Sequence, residues 1–241
     1  MSRLFNGVNG GIAVATSPTV NNMFATPGGT FAAWVLMTAG GSAAQYQRIL
    51  DKRATGSQGP VLGTSGGNGV LMFFHDFSTT DGRWVIANSL TTDTWHHVAV
   101  AYSNASTANT PVMFFNGVAQ TVTTRNAPVG VAGVDTKSTI LIGSAGSALL
   151  WTGGVAHVHY YQGIQLDANQ VRQIMAFPGS LTHRLSGYWP LHGYGTQEGD
   201  YSGNANPGSA GTTVSSIGFR SNTPPVSAVG AAPLPSGLGG G

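Results

Sequence analysis

Glycine interrupts this chain so often that long regular elements are excluded from most of it. The 241 residues include 36 glycines, about twice the common usage, without the three-residue period of collagen. Between the glycines lie short segments rich in Val, Ile, Phe, Thr and Trp, a pattern typical of many-stranded antiparallel proteins. The clearest predicted strands are 31–37, 47–51, 69–75, 84–87, 96–102, 112–115, 139–142 and 154–161. We therefore predict an all-β fold.

The segment 95–102 indicates how the strands are layered. Its residues alternate, but apolar side chains occur at both sets of positions, as expected for a central strand in a two-layer sandwich. Asp81-Gly82 and Asn116-Gly117 predict tight hairpin turns. The predicted core consists of Phe31, Trp34, Leu71, Phe73, Trp95, Val98, Val100, Val112, Phe114, Ile140, Ile142, Val155 and Val158.

Shifts in composition and Pro-Gly positions divide the chain into three parts. Residues 1–178 form the predicted sandwich and include one helix over 168–175, which Asp167 caps and Pro178-Gly179 ends. Residues 179–223 are again rich in aromatic residues and glycine and are predicted to add a strand to the same sandwich. Residues 224–241 are rich in Pro and Gly and predict an extended arm or tail.

Charge is unusually scarce. Charged residues make up 7% of the chain, against roughly 25% in average domains, and the net charge is +2. There is no run of Lys or Arg, which disfavours nucleic-acid binding through phosphate neutralisation, and we expect no nucleic-acid partner. A surface with so little charge repels neighbours weakly, and we expect a homo-oligomer or another packed assembly.

Other absences narrow the function further. Without cysteine, the chain has no disulfides, thiolate metal sites or thiol catalysis. We also find no secretion signal and no stretch of 18 apolar residues. We therefore expect synthesis in a host cytoplasm and no contact with a membrane.

The order of the segments resembles a known family. FNG, TFAAWV, RILDK, TDTWHHVAVAYS, MFFNGVAQ, ILIGS and TGGVAHVHYYQGIQLDANQVRQIM follow one another over about 3–178. This order resembles the laminin G-like form of the concanavalin A-like lectin/glucanase superfamily. The resemblance implies a jelly roll of two antiparallel sheets.

A second phrase of this family stands in a displaced position. YWPLHGYGTQEGDYSGNANPG resembles a phrase that opens the domain in many relatives, but here it follows the helix. The displacement implies either a permuted sandwich, in which a strand around 187–191 takes the slot of an N-terminal strand, or the start of a truncated second repeat. The same layout resembles virion proteins of tailed bacteriophages.

The superfamily includes glucanases, which hydrolyse their substrate with two carboxylates beside the scissile bond. This chain has one glutamate, Glu198, which we expect in a glycine-rich loop far from any strand. The seven aspartates are scattered, with no two on one face of a strand. We therefore predict that the protein is not an enzyme and has no catalytic residues.

Histidines and loop aspartates are the candidates for metal ligands. His157 and His159 are two positions apart on a predicted strand and share a face, so with a third ligand they could hold zinc or nickel. We favour histidines that form hydrogen bonds in a half-buried sheet. The resemblance also allows a structural calcium ion, for which the loop aspartates Asp76, Asp81, Asp135 and Asp200 are candidates. Because no D-x-D-G-type loop is present, we predict no metal and no cofactor.

Sugar binding without catalysis remains open, since aromatic platforms beside Asn, Asp and Gly loops suit carbohydrate. The candidate glycan-binding residues are Trp84, Trp151, Tyr160, Tyr161 and Tyr194.

The favoured interpretation is a non-enzymatic structural protein on the capsid surface of a bacteriophage virion, a decoration or cement protein. Its partners would be the major capsid protein or other virion proteins. The residues predicted to order on assembly are Pro224, Pro225, Val226, Pro233, Leu234 and Pro235. The alternative is a lectin-like carbohydrate-binding module on a phage fibre or capsid, which attaches to host or environmental glycans.

Overall fold

The fold was determined as a computed structural model. The structure describes residues 2–8, 10–38, 46–53, 59–66, 69–136, 139–192, 195–210, 218–219 and 224–227. The strands in these residues are β1 Arg3–Asn6, β2 Ile12–Val14, β3 Gly29–Met37, β4 Arg48–Asp51, β5 Pro60–Thr64, β6 Val70–His75, β7 Gly82–Ser89, β8 Trp95–Tyr102, β9 Val112–Phe115, β10 Val118–Ala119, β11 Val122–Asn126, β12 Ile140–Ile142, β13 Thr152–Gln162, β14 Leu185–Trp189, β15 Gln197–Glu198, β16 Gly208–Ala210 and β17 Gly218–Phe219. The helix α1 spans Ala168–Ala176.

Within the described residues, the strands form two antiparallel sheets. The first sheet has the order β10-β9-β8-β3-β13-β1-β17, and β14 also pairs with β13. The second sheet has the order β11-β7-β6-β5-β4-β12-β2-β16-β15. This architecture confirms the predicted two-sheet jelly-roll sandwich with one short helix.

The eight predicted strands correspond to β3, β4, β6, β7, β8, β9, β12 and β13. The turn at Asn116-Gly117 also forms as predicted, with φ of +51° and +75° between β9 and β10. Asp81-Gly82 does not form the predicted turn. Gly82 instead opens β7, where a Cβ atom would lie 2.1 Å from the ring of Trp84. Packing against that ring, and not a positive φ, excludes a side chain there.

The main core lies between the sheets, and strand β8 shows the alternation expected from its sequence. Val98, Val100 and Tyr102 belong to the core between the sheets, whereas Ala99 and Ala101 are buried on the other side of the strand. One predicted core residue is wrong. Val112 is 43% exposed because it lies on the outer side of β9, at the start of the strand.

The outer face of the first sheet, which we call the covered face, is buried as well. Helix α1 and its flanking segments pack on it through apolar residues that include Val171 and Ile174. The helix is capped as predicted, since the Asp167 carboxylate accepts from the backbone of Asn169 and Gln170. Predicted core residues Trp34, Trp95 and Phe114 belong to this face and not to the core between the sheets.

The segment after α1 continues the same sandwich. Strand β14 pairs with β13 beside β1, so the two strands share one edge of β13. Strand β16 extends the second sheet by pairing with β2, and β15 pairs with β16.

The beginning of the predicted arm lies on the covered face. Pro224 is buried, Val226 packs against the cluster of Trp34 and Trp95, and the Ser227 N–H donates to the Ala176 carbonyl at 2.8 Å. Pro233, Leu234 and Pro235 lie outside the described residues. In the described part of the chain, no helix has the length and apolar character needed to span a membrane.

Candidate functional site

Four of the predicted sugar platforms are core residues. Trp84, Trp151, Tyr160 and Tyr161 are at most 1% exposed, so their rings cannot stack on a ligand from solvent. Their polar atoms are also engaged, as where the Tyr160 hydroxyl donates to the Met23 carbonyl at 3.1 Å. These four predictions are corrected, because both faces of the first sheet and the inner face of the second are covered. The fifth residue, Tyr194, lies outside the described residues.

Asp135, a calcium candidate, is paired with a buried lysine. The Lys52 ammonium, fully buried, lies 2.9 Å from Asp135 Oδ1 and donates to the carbonyl oxygens of Val20 and Asp135 at 2.6 and 3.1 Å. Burial lowers the pKa of Lys52, and the Asp135 carboxylate opposes that shift. The position that a cation would take beside Asp135 is thus filled by the lysine.

The carboxylates of the other three calcium candidates also accept hydrogen bonds from the protein, and one of them forms an ion pair. Asp76 pairs with Arg53 at 3.0 Å and accepts from the Gly59 N–H at 2.8 Å, while burial raises its pKa to about 6. Asp81 accepts from the Phe77 N–H at 3.0 Å. Asp200 accepts from three backbone N–H groups between 2.9 and 3.0 Å. Their carboxylates therefore act as structural acceptors.

The glutamate lies in a different place from the one expected. Glu198 belongs to strand β15, is buried, and pairs with the guanidinium of Arg3. The short pairing of β15 with β16 brings Glu198 to the edge of the second sheet. There its ion pair with Arg3 connects β15 to β1 of the opposite sheet. A carboxylate held in this way is not positioned to act on a substrate from solvent.

The two spaced histidines lie against one tyrosine. His159 stacks on Tyr188 with ring centroids 4.4 Å apart, and His157 Nδ1 lies 2.9 Å from the Tyr188 hydroxyl. His157 has φ of +49° at an irregularity in β13, which interrupts the alternation on which the shared face was predicted. Among the described residues, no group of three or more His, Asp or Glu is arranged to hold a metal ion.

The outer face of the second sheet, which we call the polar face, differs from all of these regions. Residues directly opposite one another on neighbouring strands share a face of the sheet. One such row crosses eight strands through Gln197, Ser209, Ala13, Leu141, Asp51, Val61, Phe74 and Arg83. The row alternates with core residues such as Leu50, Leu62 and Phe73, which places it on the outside.

At one end of the polar face is a groove of about 420 Å³, which we call the hydroxyl groove. Its lining consists of Ala13, Ala15, Thr16, Ser17, Thr139, Ala205, Asn206, Pro207 and Ser209. Asn206 is fixed by hydrogen bonds to Ser17 and Thr19 at 2.6 and 2.9 Å. The hydroxyls of Thr16, Thr139 and Ser209 bond to no other described residue, so they can bond to a ligand.

Further along the polar face three arginines converge, and we call Arg48, Arg53 and Arg83 the arginine cluster. Arg48 pairs with Asp51 at 3.2 Å, and Arg53 pairs with Asp76. Burial lowers the pKa of Arg48, which Asp51 raises and the positive charges of Arg53 and Arg83 lower further. The cluster therefore brings like charges close together.

Two aromatic rings accompany the arginine cluster. The Arg53 guanidinium lies 4.5 Å from the ring centroid of Phe74, and that of Arg83 lies 5.1 Å from the ring centroid of Tyr46. Tyr46 is 41% exposed. Sequence reasoning missed this site because its residues come from three separate segments and only strand register brings them together.

Comparisons with known proteins agree with the fold. No curated protein is significantly similar to the chain in sequence. A provisionally assigned carbohydrate-binding protein from Bacteroides ovatus superposes with a TM-score of 0.62 at 17% identity, over 87% of this chain and 57% of that one. The chain thus spans little more than half of that protein. Domain 4 of the arabinanase AbnA from Geobacillus stearothermophilus, solved with arabinotriose, gives 0.50 at 16% identity, over 72% of this chain and 75% of that one.

Domains LG4-5 of the mouse laminin alpha1 chain give a TM-score of 0.49 at 14% identity, over 70% of this chain and 43% of that one. At such identities the Bacteroides ovatus and AbnA structures show a shared fold and nothing finer. A laminin G-type family model matches residues 6–172, which is more than half of the sequence. The chain therefore belongs to the concanavalin A-like lectin/glucanases superfamily, as its order of segments predicted.

Proposed function

We propose that this protein is a carbohydrate-binding module that holds its ligand on the polar face. The observation that carries the proposal is the hydroxyl groove, which lies on the same sheet face as charged and aromatic side chains several strands away. Its volume of about 420 Å³ is within the usual range for small-ligand sites, roughly 300–1,000 Å³.

The chemistry of the groove suits a sugar. A sugar presents several hydroxyls, each of which donates and accepts, and the hydroxyls of Thr16, Thr139 and Ser209 can do the same. Ala13 and Ala15 leave space for a ring to approach the sheet. The fold supports the same conclusion, since one structural neighbour is provisionally assigned to carbohydrate binding and another was solved with arabinotriose.

Binding without hydrolysis is part of the proposal. Glycoside hydrolysis requires two carboxyl groups that flank the scissile bond. Glu198, Asp135 and Asp200 are each engaged by donors from the protein, and Asp51 and Asp76 are paired with arginines. Carboxylates engaged in this way act as structural acceptors, which supports binding of a glycan without its cleavage.

A groove-filling variant tests the proposal. Ala15 is exposed in the groove, so Ala15→Trp should fill the groove and abolish binding on a glycan array, while Ala105→Trp, in an exposed loop, should leave binding unchanged. Both proteins should keep the thermal midpoint of the unmodified chain. Retained binding by Ala15→Trp, or no binding to any glycan by the unmodified chain, would reject the proposal.

Assembly on a phage capsid stays a prediction. Its support is the low charge of the chain and an exposed aliphatic loop, in which Val129 and Val131 are 49% and 75% exposed. Such side chains favour contact with another protein surface, the major capsid protein or a second copy. Copurification with intact phage particles at a fixed copy number would support this role, and absence from the particles would reject it.

A further inference from the structure

We propose that the arginine cluster binds the carboxylate of an acidic sugar, so that the ligand on the polar face is a uronic-acid-containing glycan. This inference rests on the proposed function and names its ligand class. It follows from the charge balance, the unsatisfied donors and the position of the cluster.

The ion pairs of the cluster leave one guanidinium over. Arg48 pairs with Asp51 and Arg53 with Asp76. The nearby Asp81 carboxylate, whose charge acts on Asp76, accepts from the Phe77 N–H. Arg83 makes no ion pair with any described residue, and its contacts are the Met72 sulfur at 3.1 Å and the Tyr46 ring. One positive charge is therefore left without a partner in the part of the chain that the structure describes.

Donors are also left over. Arg48 is 9% exposed, and its Nη1 atom is buried without a hydrogen-bond partner among the described residues. Because this atom is closed to solvent, the donors that a ligand can reach are those of Arg53, which is exposed, and Arg83, which is half-buried. A carboxylate suits the site because its two oxygens match the fork of a guanidinium.

The surroundings favour a sugar as the carrier of that carboxylate. The row of opposed residues runs from Ser209 at the hydroxyl groove through Asp51 to Arg83, so groove and cluster share one sheet face. Tyr46 and Phe74 add rings beside the charges. Six strand spacings, roughly 29 Å, separate Ser209 from Arg83, so only a long glycan chain would reach both, whereas a short acidic oligosaccharide would bind at the arginines alone.

Matched pairs of ligands test the inference on the full chain. Trigalacturonic and trimannuronic acid keep their shape when their carboxyl groups are converted to methyl esters, but they lose their charge. By calorimetry we expect at least one acid to bind about tenfold or more tightly than its ester. Arg83→Gln should remove this preference, and Arg83→Lys should reduce it because the fork is lost. Arg172→Gln, on α1 at the opposite side, should keep it.

Each outcome bears on one proposal. Equal affinity for acids and esters, or an unchanged preference in Arg83→Gln, overturns the carboxylate site but leaves glycan binding standing if Ala15→Trp still abolishes it. Equally tight binding of a triglutamate peptide overturns the assignment to a sugar. No binding of any glycan overturns the proposed function itself. If Arg83→Gln does not fold, Arg53→Gln replaces it, because that side chain is 38% exposed.

Discussion

The two outer faces of the sandwich have opposite characters although strands of similar composition build both. On the covered face, apolar residues lie beneath α1 and the segment 224–227, and even His97 and His159 are fully buried. On the polar face, exposed Ser209, Tyr46 and Arg53 remain accessible.

Because α1 and the segment 224–227 lie on the first sheet, the molecule has three layers, whereas exposed polar side chains remain on the outer face of the second sheet. The covered face functions as a second core, so aromatic and histidine residues there contribute to stability. We expect side chains on the polar face to contribute less to stability.

A pair of aromatic truncations compares the two faces directly. Trp34 is 4% exposed, contacts the ring of His97 and donates to the Met175 carbonyl at 3.2 Å. Trp34→Ala should therefore lower the free energy of unfolding by about 3–5 kcal/mol. Phe74→Ala, on the polar face and half-buried, should lower it by about 1 kcal/mol. Urea denaturation measures both values, and equal losses would remove the distinction between the faces.

Acid should act mainly through the covered face. Burial lowers the pKa of His97 to about 3 and that of His157 to about 4. Because these values lie below the ordinary 6.5, the unfolded chain binds protons first. The stability that these neutral histidines contribute is therefore present above about pH 6.5. It is lost as the pH falls from there towards their folded-state pKa values.

Replacing His97 should reduce this acid sensitivity. Between pH 6.5 and pH 4.5, we expect His97→Leu to lose about 2 kcal/mol less stability than the unmodified chain. His183→Leu, at an exposed position, should behave like the unmodified chain. The measurement is urea unfolding at a series of pH values. An identical pH dependence in all three proteins would show that His97 takes no part.

The smallest effect concerns the segment 224–227. Val226 is half-buried against Trp34 and Trp95, so Val226→Ala should cost about 1 kcal/mol in the free energy of unfolding. Val131→Ala, at a position 75% exposed, should change it by less than about 0.5 kcal/mol. Thermal unfolding can distinguish the two, and a neutral Val226→Ala would mean that this contact does not stabilise the covered face.

The sequence predicts the strands well but not the character of the faces. Alternation in β8 correctly separates Val98 from Ala99, because it depends on local geometry alone. Trp84 lies between Arg83 and Val85 in the sequence. This local order does not show which face of β7 packs against the opposite sheet. The assignment of Trp84 as a sugar platform was wrong for this reason.

Long-range pairings account for the other differences. Arg3 and Glu198 are 195 positions apart, and Lys52 and Asp135 are 83 positions apart. No local sequence pattern can therefore predict either ion pair. The arginine cluster likewise forms only when β4, β6 and β7 take their register. The sequence contains these side chains, but the strand register of the folded sheet determines which of them are in contact.

The hydrogen bond between Ser227 and the end of α1 has a practical consequence for orientation. It holds the backbone against the helix layer, at the back of the molecule relative to the groove and the arginines. A tether joined directly after Ser227 would leave the molecule from the helix layer, and a solid support attached there would have the outer face of the second sheet turned away from it.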